Sequence, residues 1–106
     1  MGNAFGTKIV TVNTANIIFG SKEVATSTTA VQLTTDNTPL THGVWLTPKD
    51  DAAFYVGLSD VSPTKGLVVE RAADGDGGAL YIPCNDASLL YVEADGDEKT
   101  INFMAV

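Results

Sequence analysis

The residues that could carry chemistry in this chain are few and lie far apart. His42 is the single histidine, between Thr41 and Gly43. No serine lies in a Gly-x-Ser-x-Gly motif or in another context that would activate it as a nucleophile. The carboxylates cluster in predicted turns, where Asp and Glu usually cap backbone amides and stay in water. We therefore expect no catalytic residues and a protein that is not an enzyme.

One acidic stretch resembles a metal loop but lacks its full ligand set. Asp74–Gly78 matches the start of a calcium-binding loop, yet its fifth position is Gly78 and its twelfth is Asn85 rather than a bidentate Glu. No glycine-rich phosphate loop occurs either. We expect no metal and no cofactor, and little effect of calcium on thermal stability. A calcium site of another kind stays open, with four candidate ligands: Asp74, Asp76, Asp95 and Asp97.

Composition limits the class of protein. The 106 residues suit one globular domain, and the single Cys84 excludes an internal disulfide and a multi-cysteine metal site. No leader pattern and no run of ~20 apolar residues occurs, so we expect a soluble protein, made without export and with no membrane partner. The net charge is −7, and eight of the thirteen acids lie between Glu70 and Glu98. Such a surface repels phosphate backbones, so we expect no nucleic-acid partner.

The stretch Phe54–Val69 predicts the clearest structural unit, a strand, a short loop and a returning strand. Its first half alternates apolar residues, including Leu58, with Tyr55, Gly57 and Ser59, which is the period of a strand with one buried face. Gly66 is expected to take a positive φ where the chain turns back. On that basis Gly66→Val would cost more stability than Gly66→Asn.

Short β-prone runs occur along the rest of the chain, and no stretch longer than a turn has helical periodicity. The runs are Thr7–Val12, Asn16–Phe19, Glu23–Thr35, Val44–Thr47, Leu67–Arg71, Ala79–Ile82, Leu89–Glu93 and Lys99–Val106. With the central strand they predict an all-β fold: an antiparallel β-sandwich, jelly-roll-like, with eight or nine short strands.

The turn signals between these runs give more specific expectations. Gly20-Ser21-Lys22 is expected to end the Asn16–Phe19 strand. The runs that contain Leu80 and Leu90 are expected to pair with each other. Asp95-Gly96 between two runs is the strongest short-range hairpin signal in the chain.

Several of these motifs occur in an order that resembles a known family. Phe54-Tyr55-Val56-Gly57, Ser59-Asp60-Val61, Gly66-Leu67 and Leu90-Tyr91-Val92 follow one another as in small β-sandwich modules of tailed-phage virions. The resemblance covers about Lys22–Val106. It implies a virion structural protein: a head decoration or cement protein, a head-fibre piece, or a tail or baseplate part.

The front of the chain departs from this pattern. We divide the sequence into an N-terminal β-prone arm, residues 1–21, and a sandwich domain, residues 22–106. The arm could complete the sandwich, pair with a sister subunit, or lie along the capsid shell by strand addition. Candidate interface residues are apolar and lie mostly in the arm: Ile9, Val10, Val12, Ile17, Ile18, Phe19 and Trp45.

The expected function is a capsid decoration protein on the virion surface, a homotrimer that binds the major capsid protein and stabilises the head. The alternative is a tail, fibre or baseplate module that binds a host-surface glycan, with Trp45 and Tyr55 as a platform for sugar rings. Exposed aromatic residues clustered at the strand-end loops would favour the alternative. Trp45 by itself fits a core or subunit-interface position better than a sugar platform.

Overall fold

The computed structural model describes residues 17–36, 39–71 and 78–106. Within these ranges the chain forms eight β-strands and one short 3₁₀ helix, Ala87–Leu89, which Asp86 caps. The strands are β1 (Ile18–Val24), β2 (Val31–Gln32), β3 (Gly43–Pro48), β4 (Ala53–Gly57), β5 (Leu67–Glu70), β6 (Leu80–Pro83), β7 (Tyr91–Ala94) and β8 (Lys99–Ala105). The predicted all-β class is confirmed.

The strands form two four-stranded antiparallel sheets, which pack as a sandwich. Their orders are β1-β8-β3-β6 and β2-β7-β4-β5. The pairs β1 with β8, β2 with β7, β3 with β6 and β4 with β5 make one long two-stranded ribbon, which is wrapped so that β8 also meets β3 and β7 also meets β4. This is the strand order of an eight-stranded jelly roll, as predicted.

The core lies between the two sheets and follows the two-residue period of the strands. Phe54 and Val56 of β4 and Val44 and Leu46 of β3 are all buried in this core. Strands β1, β7 and β8 complete the core with Val24, Val92, Ala94, Ile101 and Ala105.

The tip of the ribbon is the predicted hairpin, β4–β5, and its pairing is confirmed. The prediction that Leu58 faces the core is wrong, because Leu58 lies past the end of β4 and is 62% exposed. Val61 is buried instead, and its backbone N–H donates to the Leu58 carbonyl at 2.9 Å. Lys65 donates to the Asp60 carboxylate across the loop, which lowers the pKa of Asp60.

Gly66 is required for a different reason from the one predicted. Its φ is not in the left-handed region, so that prediction is wrong. A Cβ there would lie 2.7 Å from Cγ2 of Val61 and 2.9 Å from the carbonyl oxygen of Val56. The position excludes a side chain because the loop packs directly against the backbone of β4.

Two predicted hairpins are wrong, since the strands concerned lie in different sheets. The Asp95-Gly96 turn joins β7 to β8 and carries the chain from one sheet to the other. The positive φ in this turn, 54°, belongs to Glu98. Leu80 lies in β6 and Leu90 precedes β7, so their runs do not pair either. In each case the sequence correctly indicates a turn, but the strands on either side of the turn pair with strands that are distant in the sequence.

The prediction that Gly20-Ser21-Lys22 ends the first strand is wrong for β1. This strand continues to Val24 and pairs with β8 along its full length. Gly20 lies against the ring of Phe103, where a Cβ would be 2.6 Å from Cζ. Strand β1 therefore crosses the boundary drawn at residue 21, and the run Thr7–Val12 lies outside the described residues.

We predict that Gly66→Ala lowers the free energy of unfolding by about 1–3 kcal/mol, because its Cβ meets backbone that cannot move without shifting β4. Gly66→Asn should be no better. Gly96→Ala is the matched control, since its Cβ would approach only the flexible end of Lys99, at 3.0 Å. Urea unfolding of the three variants tests this. Wild-type stability of Gly66→Asn would restore the positive-φ interpretation.

Candidate binding surface

The outer face of the β1-β8-β3-β6 sheet carries an apolar residue on each strand at one level. Phe19 of β1 is in register with Met104 of β8, Met104 with Trp45 of β3, and Trp45 with Tyr81 of β6. We call these four residues the aromatic row. Their side chains point away from the core because the inward positions of these strands alternate with them.

The three rings of the aromatic row are open to solvent. Phe19 is 75% exposed, Trp45 46% and Tyr81 37%. The Trp45 and Tyr81 rings are in contact, with centroids 4.8 Å apart and planes tilted by 41°. This separation lies within the range of favourable aromatic pairs, so each ring restricts the other's position.

A shallow depression of about 210 Å³ lies along this face. It is lined by Phe19, Trp45, Leu46, Thr47, Ala79, Asn102, Phe103 and Met104.

A second row, parallel to the first, is polar but uncharged. Ser21, Asn102 and Thr47 are in register on β1, β8 and β3, two residues along each strand from the aromatic row. The Thr47 hydroxyl donates to the carbonyl of Gly78 at 2.8 Å. We call these three residues the polar row. The two rows form an uncharged surface on a chain whose net charge is −7.

The structure brings two of the seven candidate interface residues together, Phe19 and Trp45. Ile18 is in register with Ala105 and so lies on the opposite side of β1 from Phe19, at the sheet edge. Ile17 precedes β1 and is half-buried. The other three candidates, Ile9, Val10 and Val12, lie outside the described residues.

The predicted Trp45–Tyr55 platform is wrong, because Tyr55 belongs to β4 in the other sheet. The partner of Trp45 is Tyr81, and the exposed rings lie on a sheet face rather than at strand-end loops. Sequence reasoning missed Tyr81 and Met104 as surface residues. Alternation along Lys99–Val106 already directs Met104 outward, but only the pairing of β3 with β6 and β8 reveals the row.

The carboxylates in the turns act as caps, as predicted. Each accepts a hydrogen bond from a backbone N–H: Asp50 from Thr100 at 2.7 Å, Asp86 from Ser88 at 2.9 Å, Asp95 from Ala53 at 3.2 Å and Asp97 from Ser27 at 2.7 Å. In the described parts of the chain, no group of three or more His, Cys, Asp or Glu side chains could hold a metal ion. Two candidate ligands, Asp74 and Asp76, lie outside these parts.

His42 and Cys84 are neighbours through their backbones. His42 is exposed, and its carbonyl accepts from the Cys84 N–H at 3.3 Å. Cys84 packs against the core, and burial raises the pKa of its thiol. A thiol with a raised pKa is a poor nucleophile at neutral pH, which fits a packing role for Cys84.

These features define an eight-stranded jelly-roll domain with one uncharged aromatic surface. Neither the models of known protein families, nor the curated proteins, nor the solved structures give a significant match to this chain. The resemblance to phage virion modules stays a hypothesis that rests on the motifs quoted above. No helix in the described residues is long and apolar enough to cross a membrane.

We predict that Asp50→Ala destabilises the fold by about 1–2 kcal/mol, because it leaves the partly buried Thr100 N–H without its acceptor. Asp51→Ala is the control, because Asp51 is exposed and its substitution removes the same charge. Thermal unfolding at neutral pH compares the two. Equal stability of the two variants would show that losing the hydrogen bond of Asp50 costs nothing beyond the loss of one charge.

We also predict that iodoacetamide alkylates Cys84 more slowly in the folded protein than in urea, because the raised pKa leaves less thiolate. Mass spectrometry follows the reaction at one site, since the chain has one cysteine. Raising the pH should speed the reaction of the folded protein. Equal rates in the two states would contradict the packing role.

Proposed function

We propose that this chain is a non-enzymatic structural protein of a tailed-phage virion, made in the host cytoplasm and located on the capsid surface. It decorates the head as a homotrimer bound to the major capsid protein. The order of motifs along Lys22–Val106 supports this proposal, and so does the jelly roll, an architecture that viral capsid domains use. Because one fold hosts many functions, the function has to rest on an observation beyond the fold.

That observation is the completeness of the jelly roll without the front of the chain. The eight strands of the described residues lie from Ile18 onward, and each has its ribbon partner among them. Residues 1–16 are therefore not needed for this strand pairing. In this proposal they contact a neighbouring subunit or the shell.

In this proposal the segment attaches through apolar contact and strand addition, which satisfies the backbone groups at a sheet edge. Ile9, Val10 and Val12 supply the contact, with Ile17 and Ile18 where the segment enters β1. An interface of ~800 Å² per partner suffices for stable attachment, and repetition over a shell adds avidity. Cyclic symmetry lets three segments reach three adjacent capsid subunits.

The positions of the carboxylates are compatible with attachment through residues 1–16. Four exposed carboxylates lie in turns, Asp51, Asp95, Asp97 and Glu98, whereas Glu23 and Glu70 are exposed on strands. In the proposed complex these turns face solvent, where net negative charge keeps repeated copies soluble.

A second candidate is the tail or fibre module that binds a host glycan. One observation favours it: the aromatic row lies beside an uncharged polar row. None of the residues of that surface belongs to residues 1–16, so the glycan hypothesis can be tested independently of that segment.

The experiment compares full-length protein with a variant that lacks residues 1–16, each added to particles stripped of the protein. We expect full-length protein to rebind at saturable, symmetric sites and to raise the heat resistance of the particle. The truncated protein should fold, because β1 is intact, but bind weakly or fail to trimerise.

A deletion of residues 1–20 is the matched control. It removes Ile18, Phe19 and Gly20, which pair with β8, and should also lower thermal stability. If the shorter deletion rebinds as well as full-length protein, the segment is not the attachment site. Protein found only on tails, with neither form binding heads, would refute decoration.

A further inference from the structure

We propose that the aromatic row and the polar row together form a binding site for an uncharged oligosaccharide. Sugar rings lie against Phe19 and Trp45, and their hydroxyls bond to Asn102 and Thr47. The inference deepens the second candidate above by naming its residues and ligand class, and it requires neither residues 1–16 nor a particular place on the virion.

The apolar half of the site fits the C–H face of a sugar ring. Trp45 and Tyr81 are tilted against each other, so they present an angled surface whose position their mutual contact restricts. The adjacent depression of about 210 Å³ has an almost wholly apolar lining, so it belongs to the half of the site that receives the sugar ring. Rigid rings beside a small depression recognise shape at low entropic cost.

The polar half supplies both kinds of hydrogen-bonding group. The Asn102 amide donates and accepts. Thr47 has committed its proton to the Gly78 carbonyl, so its oxygen accepts from a ligand hydroxyl. Two residues along a strand span ~7 Å, which places these groups beside a ring held on the aromatic row. Ligand sites commonly combine apolar walls with a few such groups.

Charge selects against other small ligands. Neither row contains an ionisable side chain apart from the phenol of Tyr81, and the rest of the chain is strongly acidic. Phosphorylated or carboxylated ligands would approach a negative molecule and find no cation in either row. A neutral ligand pays no such cost.

The size of the surface favours an oligosaccharide over a protein. With ~150–250 Å² for each ring, the exposed fractions of Phe19, Trp45 and Tyr81 sum to roughly 350 Å². A stable protein interface buries ~800 Å² per partner in total, so a protein docked here would also have to cover the residues around the three rings. The row crosses three strand spacings of ~4.8 Å, about 14 Å, which is long enough for several linked sugar rings.

The chain carries its own reporter, because Trp45 is its single tryptophan. Full-length protein is titrated with the neutral polysaccharides dextran, laminarin and galactomannan, with acidic alginate as the charge comparison, and is applied to a printed array of neutral and acidic glycans. We expect at least one neutral glycan to give a saturable change in Trp45 fluorescence that is insensitive to salt. Alginate should give none.

Three variants test the residues by calorimetry with the best neutral glycan. Phe19→Ala and Tyr81→Ala should each weaken binding about tenfold, which is ~1.4 kcal/mol. Asn102→Ala should weaken it as well. Tyr55→Ala on the other sheet is the control and should bind like wild type. Circular dichroism checks that every variant is folded.

Three results would each overturn the proposal: no neutral glycan binds at millimolar sugar, Tyr55→Ala weakens binding as much as Tyr81→Ala, or light scattering shows self-association that Tyr81→Ala abolishes. The last would make the face a protein interface. The deletion of residues 1–16 keeps both rows, so it should retain glycan binding even if it loses the capsid. Failure of one proposal is thereby distinguishable from failure of the other.

Discussion

The double pairing of β8 is the constraint on which the rest of the structure depends. This strand hydrogen-bonds to β1 on one side and to β3 on the other. Its inward residues Ile101 and Ala105 are fully buried, so its register cannot slip without exposing them. The same register fixes the outward residue Met104 between Phe19 and Trp45. The core therefore determines the geometry of the outer surface.

The carboxylates that cap backbone amides and the uncharged polar row lie in different parts of the molecule. Asp50, Asp95 and Asp97 lie in turns. Each of their carboxylates accepts a hydrogen bond from a backbone N–H that is distant in the sequence. The outer face of the β1-β8-β3-β6 sheet keeps two rows free of charge at the same time. The next outward residue of β1 beyond the polar row is the exposed Glu23, so the uncharged surface ends at a carboxylate.

The two proposals use separate parts of this molecule. Attachment to a capsid rests on residues ahead of β1, which the eight-stranded ribbon does not need for its pairing. Sugar binding rests on side chains that the ribbon itself assembles. A decoration protein with both would hold the shell through one segment and present a glycan site on another part of its surface.

The sequence by itself determined the features that depend on neighbouring residues. Alternation assigned Phe54 and Val56 to the core, and it located the β4–β5 hairpin, because these patterns are local. Within the described residues, β4 and β5 are the one consecutive pair of strands that share a sheet. The Asp95-Gly96 signal failed because its flanking strands separate into different sheets. Tertiary structure alone decided the aromatic row, since its four residues come from distant segments that only the wrapping of the ribbon brings into register.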